Sequence, residues 1–291
     1  MTDNSMKSIY QKRTRIGDNI LKALIYLAAG VAIALLVGIM GYVFVRGLPQ
    51  VSWQFLSTVQ SSLKGTFGIL GNIINTIYII VITLIIAAPI GIGSAIYLNE
   101  YAKPGKLVRT IEFTTEILSG IPSIIFGLFG MVFFGMTLKL GYSVLTGSFT
   151  LTLMVLPLIT RNTQEALKTV PDSYRSGALG IGATKWYMIR TILLPSAAPG
   201  IMTGVILSIG RIVGESAALL FTAGSGFQLP KNLFGKLFES SGTLTIQLYL
   251  SMQKAKYDQA FGIAVVLLII VLGINLLTRF LTNRFDVTKL K

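Results

Sequence analysis

Arg211 and Glu215 stand four residues apart in the run Ile209 to Leu220, with apolar residues before and after them. Carrying one charge to the middle of a bilayer costs about 2.5 to 3.5 kcal/mol on insertion scales, so two charges there need a reason. On a continuous helix, side chains at this spacing share a face and can pair, which gives a salt bridge locking neighbouring helices. The other reading is a polar lining in which Arg211 meets a transported anion while Glu215 holds or releases it, because ionisable residues inside membranes default to pathway roles. Arg161 follows Pro157 in the run Leu156 to Asn162. It either snorkels to the interface or joins the same route. A guanidinium donates in parallel to two oxygens of a tetrahedral oxyanion, so two arginines could cradle one phosphate-like ion.

The elements that must position these residues are apolar. Of the 291 residues, 53% are hydrophobic and 12% charged, against about 25% charged in soluble domains. Apolar runs near 23–45, 69–98, 117–138, 142–164, 196–222 and 259–282 predict six membrane spans, each judged against a hydrocarbon layer of about 30 Å. The first, Ala23 to Val45, is too long for a signal-peptide core and reads as a retained span. Gly120, Pro122, Gly127 and Gly130 interrupt the third, and only Lys139 to Gly141 separates it from the fourth, which predicts a tight helical hairpin. With neither Cys nor His, the chain excludes disulfides, thiol catalysis and the commonest zinc sites.

The net charge of +14 would suggest nucleic acid in a soluble protein. Here the basic residues cluster at the ends of apolar runs and face lipid head groups instead, so no nucleic-acid partner is expected. Of the 25 Lys and Arg, 16 fall on the side holding both termini and the 99–116 and 165–195 loops, against seven on the other. Both termini are therefore expected in the cytoplasm. Met1 to Asn19 reads as a mobile basic tail.

The 165–195 segment is too long for a simple link. Val170-Pro171-Asp172 opens a helix, Gly180-Ile181-Gly182 ends it, and Thr184 caps a second one with Trp186, Ile189, Ile192 and Leu193 on one face. This shape either inserts into a groove on a partner or lies on lipid with Lys185 and Arg190 toward the head groups.

Here the chain resembles the membrane subunits of type I ATP-binding-cassette importers, whose coupling loop reads Glu-Ala-Ala, three residues, Gly, nine residues, Ile, any residue, Leu-Pro. Ala178, Gly182, Ile192 and Leu194-Pro195 match. Ser176 and Gly177 depart from it, standing where Glu and Ala would be. Three further stretches, Ser119 to Met131, Leu179 to Trp186 and Gly200 to Phe221, resemble the PstA-type phosphate importer permeases, with the sister PstC-type permeases the nearest alternative. The resemblance runs from about Gly68 to Arg284. It implies an all-α polytopic membrane protein of about six transmembrane helices with the type I importer permease fold. It further implies phosphate passage by Arg211 and Arg161, with Glu215 in the same motif and Ser123 on the same pathway, and coupling to an ATPase through Ala178, Gly182, Thr184, Trp186, Ile192 and Pro195.

The implied assembly contains a second permease subunit, a pair of ATP-binding subunits and an extracytoplasmic phosphate-binding protein. No phosphate-binding loop occurs in this chain, so ATP and Mg are expected on the partner ATPase, with no cofactor or metal here. The expected divisions are a 1–22 tail, a first helix and external loop at 23–67, the transmembrane domain at 68–284, and a 285–291 tail. The 223–258 loop, with Leu229, Leu233, Phe234 and Leu237, reads as a dock for the binding protein or as an interfacial helix. A self-sufficient ion-coupled transporter or channel is the rival reading, motivated by the buried Arg and Glu. An intramembrane enzyme is disfavoured because Ser123 has no base in sight.

Overall fold

The computed structural model describes residues 16–61, 66–230 and 232–285, so residues 1–15 and 286–291 of the expected tails lie outside the described residues. Two units separate at Arg46–Gly47. The described part of the first lies in one helix, α1 (Ile16–Gly47).

The second unit opens on a 3-10 turn at Leu48–Gln50, followed by α2 (Trp53–Ser57), capped by Ser52, whose Oγ accepts from Phe55 N at 3.1 Å. A two-stranded antiparallel ribbon follows, β1 (Val59–Ser61) and β2 (Thr66–Ile69). Next come α3 (Leu70–Ile96), which continues as a π turn through Tyr101, α4 (Lys106–Gly120), and α5 (Ser123–Gly130), which continues as a π turn through Thr137. Then follow α6 (Val144–Lys168), α7 (Asp172–Gly180), and α8 (Lys185–Met188) with a π turn at Ile189–Leu193 that runs into α9 (Leu194–Gly214). Last are α10 (Ala217–Thr222), α11 (Leu244–Gln253) and α12 (Tyr257–Phe285). Among the described residues five helices are long and apolar enough to cross a membrane, and the bent α4–α5 pair makes a sixth when counted as one span. The chain is an all-α polytopic membrane protein, as the apolar runs predict.

Three differences from the sequence reading have local causes. The expected 99–116 loop is mostly α4, an amphipathic helix whose Lys106, Arg109, Glu112 and Glu116 recur at helical spacing and lower its hydropathy. The third span does not run through 117–138, because α4 and α5 meet at 103°. Pro122 confines the residue before it to extended backbone, and Ile121 accordingly lies at φ −70°, ψ 131°. Within the 223–258 loop, α11 is a helix capped by Thr243. The link expected between the third and fourth spans is indeed tight, turning on Lys139 and Gly141 with φ near +57° and +58°.

The core lies where α3, α6 and α9 meet, around Ile79, Ala87, Leu151, Met154, Val155, Ile159 and Ile212. Helices in lipid associate through close packing rather than by hydrophobic exclusion. The buried hydroxyls of Thr150, Thr152 and Ser208 are satisfied within their own helices, each donating to the carbonyl four residues earlier at 2.7–2.8 Å. Gly127 brings α5 against α10, so that a Cβ there would stand 2.8 Å from Ala218 Cα. Gly127→Leu should therefore destabilise the protein by about 1–3 kcal/mol, as overpacking does, measured as a lowered denaturation midpoint in detergent.

Candidate functional site

Arg211 occupies the last turn of α9, half-buried, and Glu215 is the first residue beyond it. The expected continuous span at 196–222 is broken here. Glu215 is extended (φ −80°, ψ 126°) and α10 restarts at Ala217, so the two side chains do not share a helix face. The locking salt bridge is not built. Instead the Glu215 carboxylate turns forward and Oε1 accepts from Ala218 N at 3.0 Å, while its own carbonyl accepts from Thr245 Oγ1 at 2.9 Å. The physical reason is that a broken helix leaves N–H groups without partners, and a carboxylate satisfies them where the local dipole favours negative charge.

Among the described residues, neither Arg211 nor Arg161 has an ion-pair partner. Arg161 is exposed on α6 and lines a polar cleft of about 260 Å³ with Glu112, Thr115 and Glu116 of α4 and with Gln164, Glu165 and Lys168. The register between α6 and α9 locates the two arginines relative to each other. Gly204 abuts Asn162, and Gly200 abuts Ala166. Continuing that antiparallel register puts Arg211 level with Val155, six residues from Arg161, or about 9 Å along the axes at 1.5 Å per residue. Ser123 begins α5 just after the Pro122 bend and is half-buried. Both α5 and α10 thus restart after a break and pack together, and the start of α6 is tied to the end of α10 by Ser143 N donating to Thr222 O at 3.1 Å.

The 172–195 segment forms a helix-turn-helix. Helix α7 runs Asp172–Gly180, Gly182 turns the chain at φ +84°, and Thr184 Oγ1 accepts from Tyr187 N at 3.3 Å to cap α8. Ala178, Met188, Ile189 and Leu193 pack with Leu167 and Val170 of the α6 end and with Ala197 and Ile201 of α9, and Ile192 joins at the edge. Pro195 sits in the first turn of α9, where a missing N–H does no harm. Trp186 does not share the inward face with Ile189 and Leu193, as the helical spacing suggested. It is 60% exposed, beside Ile181 at 87% and Tyr187 at 58%. The π turn at Ile189–Leu193 rotates the phase of the helix, and Met188 takes the inward place.

Sequence reasoning missed the polar clamp on the 223–243 segment. Asn72 Nδ2 donates to Gly242 O at 2.9 Å, and Asn75 Nδ2 to Gly226 O at 3.0 Å and Gly242 O at 3.2 Å. Two asparagines three apart in an apolar run were the available signal. Lys236 is fully buried, donating to Gln228 O at 2.7 Å and pairing with Glu239 at 3.4 Å. No pattern around it announced that.

A chain with several membrane spans, a helical hairpin at 172–195 and two arginines without ion-pair partners among the described residues matches the family described as binding-protein-dependent transport system inner membrane component over residues 87–288. The chain belongs to that family. The matched residues contain Ser123, Arg161, the hairpin, Arg211 and Glu215. Among similar proteins, the probable ABC transporter permease protein YqgI of Bacillus subtilis is 35% identical, covering 92% of this chain and 95% of its own. The phosphate transport system permease protein PstA of Mycobacterium leprae is 32% identical, covering 94% and 91%. A bacterial alginate ABC transporter, solved with a pentasaccharide-bound periplasmic protein, shares the fold with a TM-score of 0.69 at 16% identity, over 93% of this chain and 96% of its own. As a binding-protein-dependent permease component, the chain has the type I importer permease fold.

Glu215→Ala should weaken the α9–α10 break by about 1 kcal/mol, the usual worth of a cap. Glu215→Gln, which keeps an acceptor, should retain most of it, as read by thermal denaturation of the purified protein.

Proposed function

We propose that this chain forms half of the membrane pathway of an ATP-driven phosphate importer. The observation that carries the reading is Arg211, a guanidinium half-buried at the break in the fifth span and without an ion-pair partner among the described residues. A charge left there is stabilised when a hydrated anion visits it, and the guanidinium fork suits a tetrahedral oxyanion. Arg161, about 9 Å inward by the register of α6 and α9, supplies a second station, and Ser123 and Glu215 flank the breaks that open beside the route. The resemblance to a phosphate permease over nearly the whole chain names the ion.

The partners follow from the same reading: a second permease subunit, an ATP-binding subunit dimer, and an extracytoplasmic phosphate-binding protein docking on the 223–258 segment. ATP and Mg reside on the ATPase pair, and this chain is non-catalytic. It sits in a bacterial or archaeal cell membrane with both termini in the cytoplasm, which puts the hairpin of residues 172–195 on the ATPase side. The exposed Ile181, Trp186 and Tyr187 are the apolar surface that a groove on that partner would cover.

In proteoliposomes holding the assembled transporter with ATP inside the ATPase compartment, Arg211→Ala should lower phosphate uptake about 10- to 100-fold. This corresponds to the loss of a charge-assisted hydrogen bond, about 1.5–3 kcal/mol. Arg211→Lys should recover only part, because an ammonium lacks the fork. Undiminished uptake by a normally assembled Arg211→Ala variant would remove Arg211 from the pathway. A cysteine at Trp186 or Gly182 should crosslink to the ATP-binding subunit, and failure of every position from 172 to 195 to do so would assign the hairpin to the lipid surface.

A further inference from the structure

Two charged residues that the proposed pathway does not use meet beneath the hairpin. Glu100 lies in the π turn that ends α3, its side chain 4% exposed, and Arg175 in α7 is 19% exposed. The guanidinium grips the carboxylate through two nitrogens, with Nη2 donating to Oε1 at 2.9 Å and Nε to Oε1 at 3.2 Å and Oε2 at 3.4 Å. Its remaining donors reach the end of α6, with Nη2 on Leu167 O at 3.0 Å and Nη1 on Val170 O at 2.9 Å. Nη1 also meets the exposed Asp172 at 3.0 Å. Asn99 Nδ2 braces the carboxylate from the side, donating to Glu100 Oε1 at 2.7 Å. The other arm of the hairpin converges on the same residue, since Lys185 Nζ donates to the Glu100 carbonyl and stands 4.9 Å from the centre of the Tyr101 ring. The hydrogen bond to Glu100 raises the Arg175 pKa above its already high value, outweighing burial.

A buried ion pair adds little stability over apolar side chains of the same volume, and its best-attested use is to fix register. Here that distinction matters. The apolar contacts of the hairpin, Ala178, Met188 and Ile189 against Leu167 and Val170, are non-directional and tolerate sliding. A fork holding one carboxylate and two carbonyls does not slide, because each bond requires its own angle. Glu100, in the π turn that ends α3, is therefore joined to α7 through its carboxylate and to α8 through its backbone carbonyl. We infer that the Arg175–Glu100 clasp is a positioning element that turns displacement of the hairpin into displacement of α3 and α6. On the importer reading, on which this rests, the clasp links ATP hydrolysis by the partner subunits to movement of the pathway.

The test measures phosphate uptake and ATP hydrolysis on the same proteoliposomes containing the full assembly, with the Trp186 cysteine crosslink as the check on docking. Arg175→Ala and Glu100→Gln should still dock and hydrolyse ATP, while phosphate moved per ATP falls about ten-fold, an ordinary size for a coupling between sites. Arg175→Lys, with charge but no fork, should fall between them and the unsubstituted protein. An unaltered ratio in Arg175→Ala would overturn the inference. So would loss of docking and hydrolysis together in both Arg175→Ala and Arg175→Lys, since the pair would then be a fastener only. An unsubstituted assembly that hydrolyses ATP without taking up phosphate would overturn the importer reading instead.

Discussion

Hydrocarbon offers no partner to a freed backbone N–H or C=O, and the middle of this protein is organised around that constraint. Two spans break, one at Ile121–Pro122 and one at Glu215–Ser216. Each break releases donors and acceptors that a continuous helix would have consumed. At the second, Glu215 supplies its carboxylate to Ala218 N and its carbonyl to Thr245 Oγ1. At the first, Pro122 brings no N–H of its own, which shortens the list of groups to satisfy. The short helices that follow, α5 and α10, then protect each other through the close approach of Gly127 to Ala218. Irregular backbone at this depth is tolerated where protein or a water-lined cavity receives it, which is also where charged side chains are least costly.

The hairpin obeys different physics. Its helices α7 and α8 pack through small and aliphatic residues while leaving Ile181, Trp186 and Tyr187 exposed. Its hold on the spans is of two kinds: an apolar seam to α6 and α9, and a directional grip from Arg175 to Glu100, Leu167 and Val170. The seam gives most of the burial. The grip fixes where along the seam the hairpin sits.

What the sequence discloses divides along these lines. Most spans, the interruption of the third at Gly120 and Pro122, and the tight link at Lys139 to Gly141 depend on local composition and local backbone chemistry, and they were legible. So was the hairpin, because Pro171, Gly182 and Thr184 act on their immediate neighbours. The break at Glu215 was not, although Gly214 and Ser216 flank it, because the surrounding hydropathy remains that of an uninterrupted span and the rescuing bond from Thr245 comes from 30 residues away. Glu100 and Arg175 are 75 residues apart, and a single sequence carries no sign of such a contact. Trp186 was turned the wrong way because a 3.6-residue period was assumed across a segment that is wound as a π turn.

Helix α9 joins the two regimes. One end belongs to the seam with the hairpin through Ala197 and Ile201, and the other carries Arg211 and packs Ile212 into the central core. Beyond Pro199, which donates no backbone hydrogen bond of its own, the helix runs about 18 Å to Arg211 at 1.5 Å per residue, and over that stretch its hydrogen-bonded turns transmit tilt. A tilt of about 5° at the hairpin end of that stretch would therefore carry Arg211 by about 1.6 Å, comparable to the helix shifts that switch other proteins. A displacement of that size changes whether a guanidinium reaches an anion at hydrogen-bond distance. On the importer reading, small movements imposed at the hairpin are thus large on the scale that matters at the break, and this leverage would make a register-fixing pair at Glu100 and Arg175 worth its desolvation.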